Sequence, residues 1–117
     1  MHFIHEWGFD VKEGKSQGLQ KWLTDNEEKF ALEMPEGCEY VGTFAVIHTS
    51  EKGSGTFRMV MRLDSYGAQD NFSAAMKEGG TFARLMEELT AFMDERNDAN
   101  WSEAVMRRVT DTAIWGE

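Results

Sequence analysis

The sequence predicts an α+β fold of element order β-α-β-β-α-β, with a four-stranded antiparallel sheet carrying two helices on one face. Three observations lead there. Residues 2–11 and 56–63 alternate apolar and polar side chains with the period of a strand. Two other stretches repeat apolar residues at helical spacing. The chain has 117 residues, 41% of them hydrophobic, which suits a single domain over 1–117 that buries roughly two-thirds of its unfolded surface.

In the first strand Phe3, His5, Trp7, Phe9 and Val11 fall on one side, and His2, Ile4, Glu6, Gly8 and Asp10 on the other. Lys12-Glu13-Gly14-Lys15 is a turn, and Ser16 is placed to cap the helix that follows. Leu19, Trp22, Leu23, Phe30 and Met34 form one stripe of that helix, which runs to about residue 33 and stops at Pro35-Glu36-Gly37. Residues 39–49 are rich in β-branched and aromatic types and read as the second strand. Ser50 to Gly55 is a glycine-bearing hairpin loop. In the third strand Phe57, Met59, Met61 and Leu63 oppose Thr56, Arg58, Val60 and Arg62, and Asp64 or Ser65 offers an N-cap beyond it. Phe72, Met76, Gly79, Phe82, Met86, Leu89 and Met93 keep helical spacing over residues 68–95, with a kink or break expected at Gly79-Gly80. Residues 97–100 read as a loop and 103–114 as the fourth strand.

Composition narrows the function classes. Twelve basic and 21 acidic side chains leave a charge of −9, the wrong sign for nucleic acid. The longest wholly apolar run, Phe44 to Ile47, is far shorter than a membrane span, and no secretory signal is visible at the N-terminus. The single cysteine, Cys38, has no internal disulfide partner, as in a reducing compartment. These features predict a cytoplasmic protein with no membrane and no nucleic acid among its partners.

Two helices that each show one clean stripe pack on one face of the sheet, as in the ferredoxin-like arrangement, with strands in spatial order 4-1-3-2. The opposite face carries Ile4, Glu6, Arg58, Val60 and Arg62, a mixture best covered by a partner sheet. This architecture resembles the dimeric α+β barrel superfamily, including its antibiotic-biosynthesis monooxygenase-like, stress-responsive barrel and NIPSNAP-like families. The likeness is carried by the element order, the Val11–Lys15 turn, the Trp22-Leu23 helix, the long helix interrupted at Gly79-Gly80 and the last strand. It implies a homodimer whose two sheets pack face to face, each subunit holding a pocket between its sheet and its helices. Members include cofactor-independent oxygenases, cyclases, isomerases and haem-degrading enzymes, so the resemblance leaves the chemistry open.

Metal and cofactor chemistry find little support. His2 and His5 point to opposite faces of one strand, His48 is remote in sequence, and Cys38 has no second cysteine. Residues 66–100 hold no histidine of the kind haem-degrading relatives supply from that region, so no cofactor and no metal are expected. Nothing near Cys38 activates its thiol, and Gly53-Ser54-Gly55 lacks the lysine of a phosphate loop. Arg58, Arg62, Arg107 and Arg108 all lie in predicted strands. They read either as charge pairing, with Glu6 and Asp10 opposite Arg58 and Arg62, or as a carboxylate- or phosphate-binding cluster.

The apolar cluster carries the functional expectation. Phe3, Trp7 and Phe9 of the first strand meet Phe57, Met59 and Met61 of the third. Trp22, Phe72, Met76, Phe82 and Met86 descend from the helices. The reading is either plain core or a cavity for a small apolar or aromatic ligand, lined by these side chains with the adaptability of methionine. His5 lies on the same face and is either a core histidine or the general base of the cavity, where a neutral imidazole accepts a proton. Some cyclase-like relatives carry a histidine early in the first strand and pair it with a polar residue from the helices; here Tyr66 is the available substitute. The resulting alternatives are a cofactor-free oxygenase, cyclase or isomerase acting on an aromatic or enol-like substrate, a non-catalytic ligand-binding or stress-associated protein, and a structural homodimer. The second and fourth strands alternate too weakly to say whether Tyr40, His48 or the fourth-strand residues turn inward.

Overall fold

The computed structural model describes residues 2–51, 55–94 and 102–111. Its elements are β1 (Phe3–Phe9), α1 (Ser16–Leu32), β2 (Cys38–Ala45), β3 (Phe57–Leu63), α2 (Ala68–Glu78), α3 (Thr81–Thr90) and β4 (Ser102–Arg107), followed by one 3-10 turn, Val109–Asp111. The four strands are antiparallel in the order β2-β3-β1-β4, the α+β ferredoxin-like arrangement. Among the described residues no helix is long and apolar enough to cross a membrane.

Register assigns the faces. His5 pairs with Met61 and Val105, and Trp7 with Met59 and Glu103, so these side chains share the helix-covered face. Glu6 pairs with Val60 and Ala104 on the open face. The core forms where Phe9, Met59 and Met61 meet Leu19, Trp22 and Phe30 of α1 and Phe82, Leu85, Met86 and Leu89 of α3. Each helix supplies the residues of its own apolar stripe, as spacing alone requires.

Several boundaries shift. Ser16 is the first residue of α1 rather than its cap; Lys15 occupies the cap without a side-chain bond. Gly67, not Asp64 or Ser65, caps α2. The second strand ends at Ala45 instead of Thr49, because Ile47 and His48 stand in solvent with no surface to cover. Past Phe9 the first strand leaves β3: Val11 bridges Met93, while Lys12 N–H and Asp94 N–H donate to the carbonyls of Phe92 and Asp10 at 2.8 Å. The fourth strand ends at Arg107. Residues 52–54 of the expected hairpin loop, the 97–100 loop and residues 112–114 of the expected strand lie outside the described residues.

The predicted long helix is two helices, and backbone conformation explains the break. Gly79 and Gly80 have φ of 81° and 89° with ψ of −167° and −164°, a region only glycine enters without strain. A Cβ at either position would meet nothing within 4 Å, so the constraint is wholly in the backbone. Gly79→Ala should therefore lower unfolding stability by about 1–3 kcal/mol. A urea midpoint at or above wild type would instead mean the segment accepts helical angles.

Tyr40 faces the helices and ties α1 to the sheet edge. Its hydroxyl donates to Glu27 Oε2 at 2.7 Å and accepts from Thr43 Oγ1 at 2.6 Å. Burial pushes the phenol well above its ordinary value; the Thr43 bond works against that, while the bond to Glu27 and its charge add to it. The unfolded phenol ionises near pH ~10, while the folded one keeps its proton. Stability from this group is therefore complete below that pH and declines as pH rises above it. Tyr40→Phe should cost about 1 kcal/mol at neutral pH and flatten the alkaline decline. Urea midpoints collected from neutral to strongly alkaline pH test both; an unchanged alkaline slope would assign the decline to other groups.

Candidate functional site

Between the helix-covered face and α2 lies a cavity of about 230 Å³. Its sheet side is formed by His5 and Trp7 of β1, Met59, Met61 and Leu63 of β3, and Glu103 of β4. Gln69, Phe72, Ser73 and Met76 of α2 and Met86 of α3 form the other side. The four α2 positions follow helical spacing and so present one face. α2 buries only Ala68, whereas α3 buries Phe82, Leu85, Met86 and Leu89. Its shallow seating, between Gly67 and the Gly79-Gly80 break, leaves the space beneath it.

His5 is 8% exposed, the buried polar side chain among the described residues. Its Nε2 lies 3.5 Å from Glu103 Oε2, and its buried Nδ1 has no hydrogen-bond partner among the described residues. Glu103 pairs with Trp7 in register, which sets it diagonally across from His5 on the same face. Its side chain is 61% exposed, so the carboxylate stands at the cavity mouth and the imidazole deeper. An imidazole held by a carboxylate can take up a proton and share the resulting charge.

The aromatic and methionine residues singled out from sequence separate into four groups. Trp7, Met59, Met61, Phe72, Met76 and Met86 line the cavity beside His5. Phe9, Trp22 and Phe82 belong to the core: Phe9 is fully buried, Phe82 stacks on Phe30 at 5.8 Å, and Trp22 Nε1 donates to Glu88 at 2.8 Å. Phe57 stacks on Phe9 at 5.9 Å and faces an open groove of about 360 Å³ beside Leu19 and Leu23, which has no titratable lining residue among the described residues. Phe3 lies off the cavity, edge-on to Tyr66 at 6.0 Å, with the Arg107 guanidinium 5.1 Å from its ring centre. Tyr66 is 65% exposed and does not line the cavity, so His5 faces Glu103 in place of the expected tyrosine.

Leu63 was read on the helix-covered face of the third strand though not as a lining residue, and Gln69, Ser73 and Glu103 were not singled out from sequence. Gln69 and Ser73 had a signal, since they share the helical face of Phe72. Glu103 had none, because Glu103-Ala104-Val105-Met106 does not alternate and only pairing with β1 assigns its face.

The arginines do not form one cluster. Arg58 reaches Glu6 at 3.2 Å and Glu51 at 3.4 Å, and Arg62 reaches Glu39 at 3.1 Å, all toward the open face. Arg107 lies on the helix-covered face. Asp10 instead accepts from Thr56 N–H at 2.9 Å and Thr56 Oγ1 at 3.0 Å, closing the end of the sheet. Cys38 Sγ donates to the Ala68 carbonyl at 3.4 Å; burial and the nearby Asp64 charge push its thiol up, away from the reactive thiolate. Among the described residues no group of three His, Cys, Asp or Glu side chains converges as metal ligands would.

The chain is thus an α+β protein of ferredoxin-like fold with a cavity between sheet and helices. No protein-family model matches its sequence, and no curated protein matches it. Its structure is similar to that of a NIPSNAP family protein from Agrobacterium tumefaciens, with a TM-score of 0.68 and 9% identity, covering 95% of this chain and 89% of that one. It is also similar to a putative antibiotic biosynthesis monooxygenase from Bordetella bronchiseptica, with a TM-score of 0.62, 14% identity and coverage of 93% and 99%. A dimeric ferredoxin-like protein of unknown function from Jannaschia gives a TM-score of 0.61 at 12% identity, covering 92% of this chain and all of that one. At such identities the likeness is one of fold.

Proposed function

We propose that this chain is a single-domain cytoplasmic homodimer that binds a small apolar or aromatic molecule in the cavity beneath α2, with His5 as its proton acceptor. The observation that carries the reading is the placement of His5. A nine-tenths buried imidazole stands 3.5 Å from a carboxylate in an otherwise mostly apolar lining, with its second ring nitrogen unmet among the described residues. Such a group is costly to bury for packing alone, whereas a base in a water-poor cavity is what cofactor-free oxygenation, cyclisation or isomerisation requires. Glu103 stabilises the imidazolium formed when His5 takes a proton. The open sheet face, with Ile4 and Val60 half-buried among the Arg58–Glu6 and Arg62–Glu39 pairs, is the surface for the second copy. The Jannaschia protein, described as dimeric, and the Bordetella protein, named as a monooxygenase, support the reading by analogy of fold.

The test uses the neutral fluorescent probe 2-naphthol, whose roughly eleven non-hydrogen atoms suit a cavity of about 230 Å³. One probe should bind per chain, and Ser73→Trp, which fills the mouth from the cavity-lining face of α2, should weaken it about tenfold or more. Equal affinity for both proteins, or no binding by wild type, would overturn the cavity assignment. Light scattering should give twice the 13.4 kDa chain mass, and Val60→Asp the single mass with unchanged circular dichroism. A wild-type monomer would remove the homodimer from the proposal.

A further inference from the structure

We infer that the ligand of this cavity is a protonated amine carried on an apolar, preferably aromatic, body. The inference rests on the cavity reading above and adds the charge class of the ligand. Among the described lining residues the carboxylate of Glu103 is the only group with a full charge, and no lysine or arginine lines the space. Acceptor atoms stand beside the carboxylate. With Nε2–H turned toward Glu103, His5 Nδ1 is left as a buried acceptor without a partner among the described residues. Gln69 donates one of its two amide N–H groups to the Tyr66 carbonyl at 3.3 Å, and its amide oxygen is available as an acceptor. Ser73 can do either. At 3.5 Å the His5–Glu103 contact is longer than a charge-assisted hydrogen bond, so the carboxylate retains room for a stronger donor.

An ammonium supplies what this arrangement lacks, several N–H donors and a positive charge from one atom. The apolar part of the lining suits the neighbour of a cation. Trp7 and Phe72 present ring surface, and the four methionines present polarizable thioethers. A carboxylate or phosphate ligand meets the reverse, since it would stand beside Glu103 in a chain of net charge −9. A volume of about 230 Å³ limits the body to about a dozen non-hydrogen atoms, one or two fused rings.

The experiment is isothermal titration calorimetry of the full chain with three ligands of one shape and different charge: 2-naphthylmethylamine, 2-naphthylmethanol and 2-naphthoate. The amine should bind about five- to tenfold tighter than the alcohol, the scale of a partly exposed ion pair with ring contacts, and the carboxylate should bind weakest. Glu103→Gln, isosteric and partly exposed, should remove most of the amine's advantage while leaving the alcohol within about twofold, and high salt should do the same by screening. Equal binding of amine and alcohol, tighter binding of the carboxylate, or an amine affinity indifferent to Glu103→Gln would each overturn the inference while leaving the cavity in place. Failure of all three ligands to bind would overturn both.

Discussion

Replacing Gly55 with alanine should destabilise the protein by about 3 kcal/mol, a large effect for one methyl group. Gly55 is buried, and a Cβ there would fall on the backbone nitrogen, carbonyl carbon and oxygen of Phe9. Phe9 cannot retreat: its backbone is paired with Phe57 in the β1–β3 ladder, and its side chain is fully buried. The obstacle is therefore main chain against main chain, which no rotamer change relieves. Gly67→Ala is the control. Its φ of −68° is already helical and nothing lies within 4 Å of its Cβ, so the change should be neutral or slightly stabilising, by about 0.5 kcal/mol. Urea unfolding distinguishes the two; a loss below about 1 kcal/mol at Gly55 would mean that the hairpin end moves freely away from β1.

Truncating Phe30 to alanine should remove about 3–5 kcal/mol, a large share of the about 5–15 kcal/mol that holds such domains. Phe30 is fully buried and is the ring through which α1 reaches both α3 and β2. It stacks on Phe82 of α3 with an interplanar angle of 3°, and meets Tyr40 of β2 edge-on at 5.1 Å and Trp22 at 6.3 Å. Met76→Ala, by contrast, truncates a side chain that is 43% exposed above the cavity, and should cost about 1 kcal/mol or less. Circular dichroism in urea reads both. Similar losses at the two positions would mean that the cavity-side residues are core, and that α2 is seated as firmly as α3.

Local periodicity was the reliable signal in this chain. The helix-covered face of β3 could be read from Phe57, Met59, Met61 and Leu63 because each strand residue turns its side chain opposite to the last. The stripes of α1 and α3 followed in the same way, and so did the break between helices, since two adjacent glycines interrupt a helical stripe wherever they occur. His5 could be placed on the helix side of β1 for the same reason. Capping was less legible: Ser16, Asp64 and Ser65 are all good cap residues, but a cap forms only when the backbone delivers the side chain to a free N–H.

What the sequence determined by itself was the element order, the strand order that two one-sided helices impose, and the inward faces of β1 and β3. What only the tertiary structure decided was which inward residues are core and which border open space. Phe9, Trp22 and Phe82 show the same periodicity as Trp7, Phe72 and Met76, and differ in that the space beneath the shallowly seated α2 borders only the second set. The partner of His5 was decided there too. Glu103 lies almost a full chain length away, on a strand without alternation, and reaches the imidazole only because β4 pairs with β1 in the register that sets Trp7 opposite Glu103. Spacing along a chain specifies the face of an element, because that depends on local backbone geometry. Register and helix seating arise from contacts between distant segments, and no local pattern carries them.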